Sequence, residues 1–283
     1  MNILSSLMEE YPSDYVDAMN TVNQYCQEIT LCGLWRAGFF GHMAFQGGTA
    51  LRIFHGLDRF SEDLDFCSVD RGYVLDPESM GSYVENEFRS LGLEFEMAPR
   101  RSRGDIRGGT VSGNTRDTLE RFGFPEDMLD LIRPDTRIRI KIDLDTETPD
   151  GYRTEHRFRT HPFNYGITLL DIPSLFAAKI SAAVSRRWEN RVKGRDLYDL
   201  DWYVREGARV NKVYLINNLI RQGVVSEPPA DDGELREILC RRFDCVDYDK
   251  AYEDLYPFVH RSRLPKDWDA DYFRSLVNGL VFE

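Results

Sequence analysis

The sequence has no apolar run near the roughly 18 residues that a membrane-spanning helix needs, so no membrane span is expected. Its first residues lack a basic stretch followed by an apolar one, so no export signal is expected and a cytoplasmic location is the working expectation. Cysteine is scarce. The five cysteines (Cys26, Cys32, Cys67, Cys240, Cys245) are odd in number and have no C-x-x-C spacing. That pattern speaks against a disulfide framework and against zinc, and leaves reduced thiols. Positive charge is in deficit: 36 Lys and Arg face 48 Asp and Glu, for a net charge of −12. A general nucleic-acid-binding surface, which works by cationic neutralisation of phosphates, is therefore disfavoured. Internal repeats and low-complexity linkers are also missing, so any domain boundary is soft.

What is present suits a folded chain. The 283 residues can bury one large or two small domains, and 42% hydrophobic with 30% charged residues is a globular composition. The cations that exist are clustered, in Pro99–Arg107, Arg133–Lys141, Tyr152–Arg159 and Arg186–Arg195, whereas acidic residues gather towards the C-terminus. A basic face on an acidic body remains compatible with a nucleotide or RNA; solvated charge is the equal alternative for each run.

The stretch around which the chain is organised is FQGGTALRIFHGLDRFSEDLDF, Phe45–Phe66. It reads as a strand over Met43–Gln46, a glycine turn at Gly47-Gly48, a helix from Thr49 to about His55, and a second strand carrying Asp63 and Asp65. Alternation along a strand sends Asp63 and Asp65 to one side and Leu64 and Phe66 into the core. Two carboxylates at that spacing repel unless a cation lies between them, and a hard divalent ion is the usual answer. The glycine turn ahead of a helix offers backbone N–H groups and a positive dipole end, which suit phosphate. Together these features imply a metal-bound nucleoside triphosphate. Arg52 and Arg59 can reach phosphate or pair with Glu62 or Asp58. His42 and His55, with no second histidine at ligand spacing, read as surface or turn residues.

Elsewhere, Tyr15–Gly33 has helical periodicity through Tyr15, Val16, Met19, Val22, Tyr25 and Cys26, with Ser13 or Asp14 as N-cap. A helix over Glu78–Gly92 presents Tyr83, Val84, Phe88 and Leu91, and Leu93–Met97 alternates as a strand. Arg100–Thr115 reads as a loop or hairpin. Ile138–Leu144 is a strand whose isoleucines take one face while Arg139, Lys141, Asp143 and Asp145 take the other. Tyr152–Pro162 is a further strand or hairpin. Ile172–Trp188 is a helix with Pro173 in its first turn; Lys179 lies among its apolar positions, free to snorkel to the surface. The next helix, Asp196–Val204, sets Asp196 and Asp199 on one side, with an N-cap as the plain role for Asp196. Helices at Asn211–Gln222, Glu234–Phe243 and Trp268–Leu280 complete the chain.

Gly47, Gly48 and Thr49, then Asp63 and Asp65, followed by the lysine of PSLFAAKISA (Lys179) and the KGRDLYDL block (Arg195, Asp196, Asp199), resemble the nucleotidyltransferase-like toxins of the AbiEii/AbiGii group. These are relatives of the MenT toxins within the DNA polymerase β-like superfamily. The resemblance spans roughly residues 43–205. It implies an α/β fold with a small mixed, twisted sheet and flanking helices, residues 1–165, followed by a mainly helical domain, residues 166–283. It also implies Mg²⁺ (or Mn²⁺) held by Asp63, Asp65 and Asp143, with Asp145 as the substitute for Asp143. Gly47, Gly48 and Thr49 would cradle phosphate, Thr49 standing where many relatives have Ser. Arg59 would belong to the nucleotide site, Lys179 would contact the triphosphate, and Asp196 would position a water or the lysine. The implied activity is transfer of a nucleoside monophosphate from a nucleoside triphosphate to an acceptor hydroxyl, the tRNA 3′ end among the candidates. The implied setting is a toxin–antitoxin or phage-defence pair with a cognate antitoxin. A small-molecule or protein acceptor, and a nucleotide-binding module without turnover, are the rival readings.

Overall fold

The computed structural model describes residues 4–8, 12, 14–70, 76–102, 105–186 and 192–283, with the backbone alone at 101–102 and 105–107. Ser13 and Trp188, named above, lie outside the described residues. By internal contact the chain falls into two units that interleave in sequence. The first comprises Met1–Ala50, Phe60–Thr148 and His156–Leu169; the second comprises Leu51–Arg59, Pro149–Glu155 and Leu170–Glu283.

The first unit is built on a mixed seven-stranded sheet in the order β3-β4-β5-β2-β1-β7-β6. Its strands are β1 (Met43–Gln46), β2 (Asp63–Ser68), β3 (Phe95–Ser102), β4 (Asp105–Asn114), β5 (Arg137–Asp145), β6 (Thr154–Arg159) and β7 (Tyr165–Leu170). β1 pairs antiparallel with β2 and parallel with β7, while β2 and β5 run parallel and β3-β4-β5 form an antiparallel meander. The segment read as loop or hairpin is thus the β3–β4 hairpin. β7 was not expected as a strand. All six of its residues are buried, so it has no polar–apolar alternation to read.

Helix α1 (Tyr15–Arg36) begins at Asp14, whose carboxylate accepts the Val16 N–H at 2.8 Å. It packs on α3 (Pro77–Ser90) and on β5, and two short helices, α4 (Thr115–Phe122) and α5 (Glu126–Leu129), follow β4. The buried stripe of α1 runs through Ala18, Val22, Cys26 and Ile29, and Tyr15 and Val16 are exposed, contrary to the periodicity. Tyr83 of α3 is likewise exposed while Val84 and Phe88 are buried. The aromatic centre of the unit is Phe39, Phe45 and Phe66, with ring centroids 4.8 Å (Phe39–Phe66) and 5.2 Å (Phe45–Phe66) apart.

The second unit is mainly helical: α6 (Ile172–Ser185), α7 (Gly194–Arg205), α8 (Lys212–Arg221), α9 (Asp232–Phe243), α10 (Tyr248–Leu255) and α11 (Ala270–Asn278). α6 packs against α7 and α8, α7 against α10, and α9 against α11. α10 was not expected; it is eight residues long, too short for a periodic stripe to stand out. α7 starts at a glycine because α10 passes there: a Cβ on Gly194 would lie 1.8 Å from the Ala251 carbonyl oxygen. Among the described residues no helix is long and apolar enough to cross a membrane.

Candidate active site

The residues that carry chemistry divide between the units. In the first, β1 runs without a loop into α2 (Gly47–His55). Gly47 has φ +81°, and a Cβ there would meet Asp65 Oδ2 at 2.3 Å. Only glycine serves at this position, both for its left-handed backbone and for the close approach to the carboxylate. The first turn of α2, Gly47-Gly48-Thr49, carries backbone N–H groups that an α-helix leaves unpaired internally. Thr49 is fully buried, and its hydroxyl donates to the Asp63 carbonyl at 2.6 Å. Its side chain therefore anchors the start of β2, a different task from the phosphate contact expected of it.

Asp63 and Asp65 alternate with buried Leu64 and Phe66, so both carboxylates share the face opposite the aromatic core. Asp143 of β5 lies level with Asp65, and Asp145 lies level with Cys67. Asp145 also accepts the Glu147 N–H at 3.1 Å, which occupies it at a strand end. Asp143 is ion-paired with Arg100 of β3. Carboxylate oxygens on adjacent strands are the donor chemistry that hard divalent ions take, and the space-free seat of Gly47 brings a helix N-terminus to Asp65. In those terms Asp63, Asp65 and Asp143 fit Mg²⁺ or Mn²⁺. As placed, however, no group of three or more His, Cys, Asp or Glu among the described residues converges as a metal cage. Asp143 is held by Arg100.

In the second unit Arg59, Lys179, Asp196, Asp199 and Arg186 form one network around the buried Arg59, Asp196 and Asp199, with Arg186 partly exposed. Asp199, with no exposed surface, receives Arg59 in a bidentate pair, Nε and Nη2 both at 2.6 Å. Lys179 Nζ lies 2.8 Å from Asp199 and 3.0 Å from Asp196, and Arg186 donates to the other oxygen of Asp196. The bidentate partner of Arg59 is thus Asp199, 140 positions away in sequence. Asp196 is no N-cap, and Lys179 does not snorkel. Asp171 caps α6, accepting from Ser174 N–H at 2.9 Å, which fixes the rotation of the helix that carries Lys179.

Burial alone would strip these charges. Burial lowers the pKa of Lys179, yet Asp199 and Asp196 more than offset it and raise the net value. Arg59 follows the same pattern through Asp199. Asp196 is pushed up by burial but held well below the carboxylate range by Lys179 and then Arg186. Lys179, Arg59 and Asp196 are therefore charged at neutral pH.

Other residues singled out by sequence take structural roles. Arg195 lies over the Phe258 ring at 3.9 Å and beside Asp254. Arg52 donates to the Leu57 carbonyl at 3.1 Å, closing the end of α2. His42 contacts Asp70 at 2.9 Å, and His55 is buried rather than on the surface, 3.8 Å from Glu155. Three of the cysteines are buried, and all five are free thiols.

A family model, "Nucleotidyl transferase AbiEii toxin, Type IV TA system", matches residues 29–274. The chain belongs to the AbiEii toxin family. It is, accordingly, a nucleotidyltransferase of the kind found in type IV toxin–antitoxin systems. No curated protein matches it. Among solved structures, MenT4, a nucleotidyltransferase toxin from Mycobacterium tuberculosis H37Rv, is similar with a TM-score of 0.51 and 16% identity, covering 97% of this chain and 86% of that chain. A putative nucleotidyltransferase from H. pylori gives 0.43 at 15% identity, with 90% and 89% covered. JHP933 from Helicobacter pylori gives 0.45 at 15% identity, with 91% and 88% covered. The MenT4 likeness supports the fold: a mixed α/β sheet with flanking helices.

Proposed function

We propose that this AbiEii protein transfers a nucleoside monophosphate from a nucleoside triphosphate to an acceptor hydroxyl, with the single-stranded 3′ end of tRNA as acceptor. The acceptor oxygen forms a bond to the α-phosphorus, the bond to the β-phosphate oxygen breaks, pyrophosphate leaves, and the hydroxyl proton passes to a carboxylate or water. The observation that carries this reading is the seat of Gly47 on Asp65: a glycine-turn helix N-terminus directly against the first of two adjacent-strand carboxylates. Backbone N–H groups of Gly47 and Gly48 bind phosphate oxygens. Asp63, Asp65 and Asp143 are the residues that would hold Mg²⁺, which when bound supplies Lewis-acid stabilisation of the triphosphate charge.

In the second unit, the family resemblance assigns Lys179 to the charge of the leaving pyrophosphate; Asp199 and Asp196 keep its ammonium protonated and in place, and Arg59 holds Asp199. The network has three cations and two anions, a surplus that favours an anionic ligand. The tRNA acceptor draws its support from the basic runs Pro99–Arg107, Arg133–Lys141, Tyr152–Arg159 and Arg186–Arg195, within a body of net charge −12. A cytoplasmic setting beside a cognate antitoxin completes the reading.

The test is incubation of the protein with each α-³²P nucleoside triphosphate, Mg²⁺ and total bacterial RNA, beside an Asp63→Ala control. Label in a tRNA-sized band that the control lacks is the expected result. Label on protein or on a small molecule instead replaces the acceptor, and binding of triphosphate without any transfer overturns the reaction.

A further inference from the structure

Strand register aligns five residues in one row across the sheet of the first unit: Arg100 of β3, Gly108 of β4, Asp143 of β5, Asp65 of β2 and Gln46 of β1. Residues level with one another on neighbouring strands share a face. The row therefore joins a guanidinium to the two carboxylates, with a glycine between them.

That glycine is what lets the two ends meet. Gly108 has φ +147°, and a Cβ there would lie 1.8 Å from the Ile142 carbonyl oxygen and 3.1 Å from Arg100 Nη2. Any side chain at 108 would stand in the path from β3 to β5. Without one, Arg100 reaches across β4 and pairs with Asp143. The β3–β4 register shifts between Arg100 and Arg101, and such a bulge re-aims the side chain beside it. Three independent features of the backbone converge on one ion pair.

A guanidinium and a divalent cation both need the Asp143 oxygens. We infer that Arg100 is a positioning residue that competes with the metal for Asp143, and that a triphosphate relieves the competition by giving Arg100 another anion. Metal then loads with the nucleotide rather than ahead of it. Arg guanidinium suits this exchange because its planar donors pair as readily with phosphate as with carboxylate. Both partners are partly exposed, 49% and 39%, so the pair is weak enough to be exchanged. The inference rests on Asp63, Asp65 and Asp143 being metal ligands.

The test is Mn²⁺ binding to the nucleotide-free protein, followed by electron paramagnetic resonance of free Mn²⁺, with Arg100→Gln, Arg100→Lys and Asp63→Asn beside the unaltered chain. Arg100→Gln is expected to tighten Mn²⁺ by about fivefold, the scale of an exposed ion pair, while Arg100→Lys stays near the parent. Arg100→Gln is also expected to weaken an α,β-methylene nucleoside triphosphate by a similar factor, read by calorimetry. A merely structural Arg100 would not yield a gain in metal affinity. Unchanged or weaker Mn²⁺ binding in Arg100→Gln overturns the competition, and unchanged analogue affinity overturns the exchange. Asp63→Asn separates the layers: if it binds Mn²⁺ like the parent, the metal reading itself has failed.

Discussion

The two units use aspartate in opposite ways. Asp63, Asp65 and Asp143 in the sheet unit are half-exposed, Asp65 and Asp143 lie level with one another, and Asp143 is ion-paired with Arg100 from across β4. Asp196 and Asp199 in the helical unit are buried, and cations at 2.6–3.0 Å saturate them. Carboxylates left partly solvated beside one another can still exchange partners, and that is what binding an ion requires. Carboxylates sealed with arginine and lysine cannot, because breaking a buried pair strands a charge. The motifs name all five; solvent access separates the half-exposed ones from the sealed ones.

The sharpest way to break that division is the same substitution in both places. Asp63→Asn is expected to lower nucleotidyl transfer by about a thousandfold or more, with the thermal midpoint unchanged or raised because repulsion with Asp65 is relieved. A large loss of stability in this variant would move Asp63 into the structural class. Asp199→Ala should do the reverse, removing about 3–5 kcal/mol from the unfolding free energy because Arg59 and Lys179 lose their buried partner; urea unfolding measures it. Asp199→Ala with intact stability and abolished turnover would erase the contrast.

Thr49 sharpens it further. Thr49→Val removes the donor that the buried Thr49 hydroxyl gives the Asp63 carbonyl and is expected to cost about 1 kcal/mol, whereas Thr49→Ser keeps the bond and stays near the parent. If Thr49→Val instead spares stability and raises KM for the nucleotide, the hydroxyl serves phosphate after all.

The smallest effect is in pH. Asp196 has a lowered folded pKa, so its stabilisation is complete above the ordinary carboxylate value and is lost as pH falls through the lowered one. Lys179 has a raised folded pKa, so its share is complete below the ordinary lysine value and is lost as pH rises through the raised one. Urea midpoints should therefore be flat across neutral pH and fall in acid, with a shallower acid slope in Asp196→Asn. An equal slope in the variant would show that Asp196 does not carry the acid transition.

Strands and helices with a one-sided pattern could be read from the residues. β5 alternates Ile138, Ile140, Ile142 and Leu144 against charged residues, and its burial follows that alternation. The β1–α2–β2 stretch was legible because Gly47-Gly48 interrupts it and Asp63 and Asp65 stand two apart. β7 was not, since a strand covered on both faces shows only apolar residues. Arg100 was visible as one cation in a basic run, with nothing local to distinguish it from Arg101 or Arg103. Its partner lies 43 positions away, and the glycine that admits it belongs to a third strand.

By itself, then, the sequence determined the local devices of this AbiEii protein: the glycine turn, the paired aspartates, the capped helix with its lone lysine, and hence the family. Each is set by backbone geometry and periodicity within a few residues. Which carboxylates stay open and which are sealed, and that Arg100, Gly108, Asp143 and Asp65 share one row, only the tertiary structure decided. Charge pairing depends on distance and solvent access, and strand register makes neighbours of residues that the chain keeps far apart.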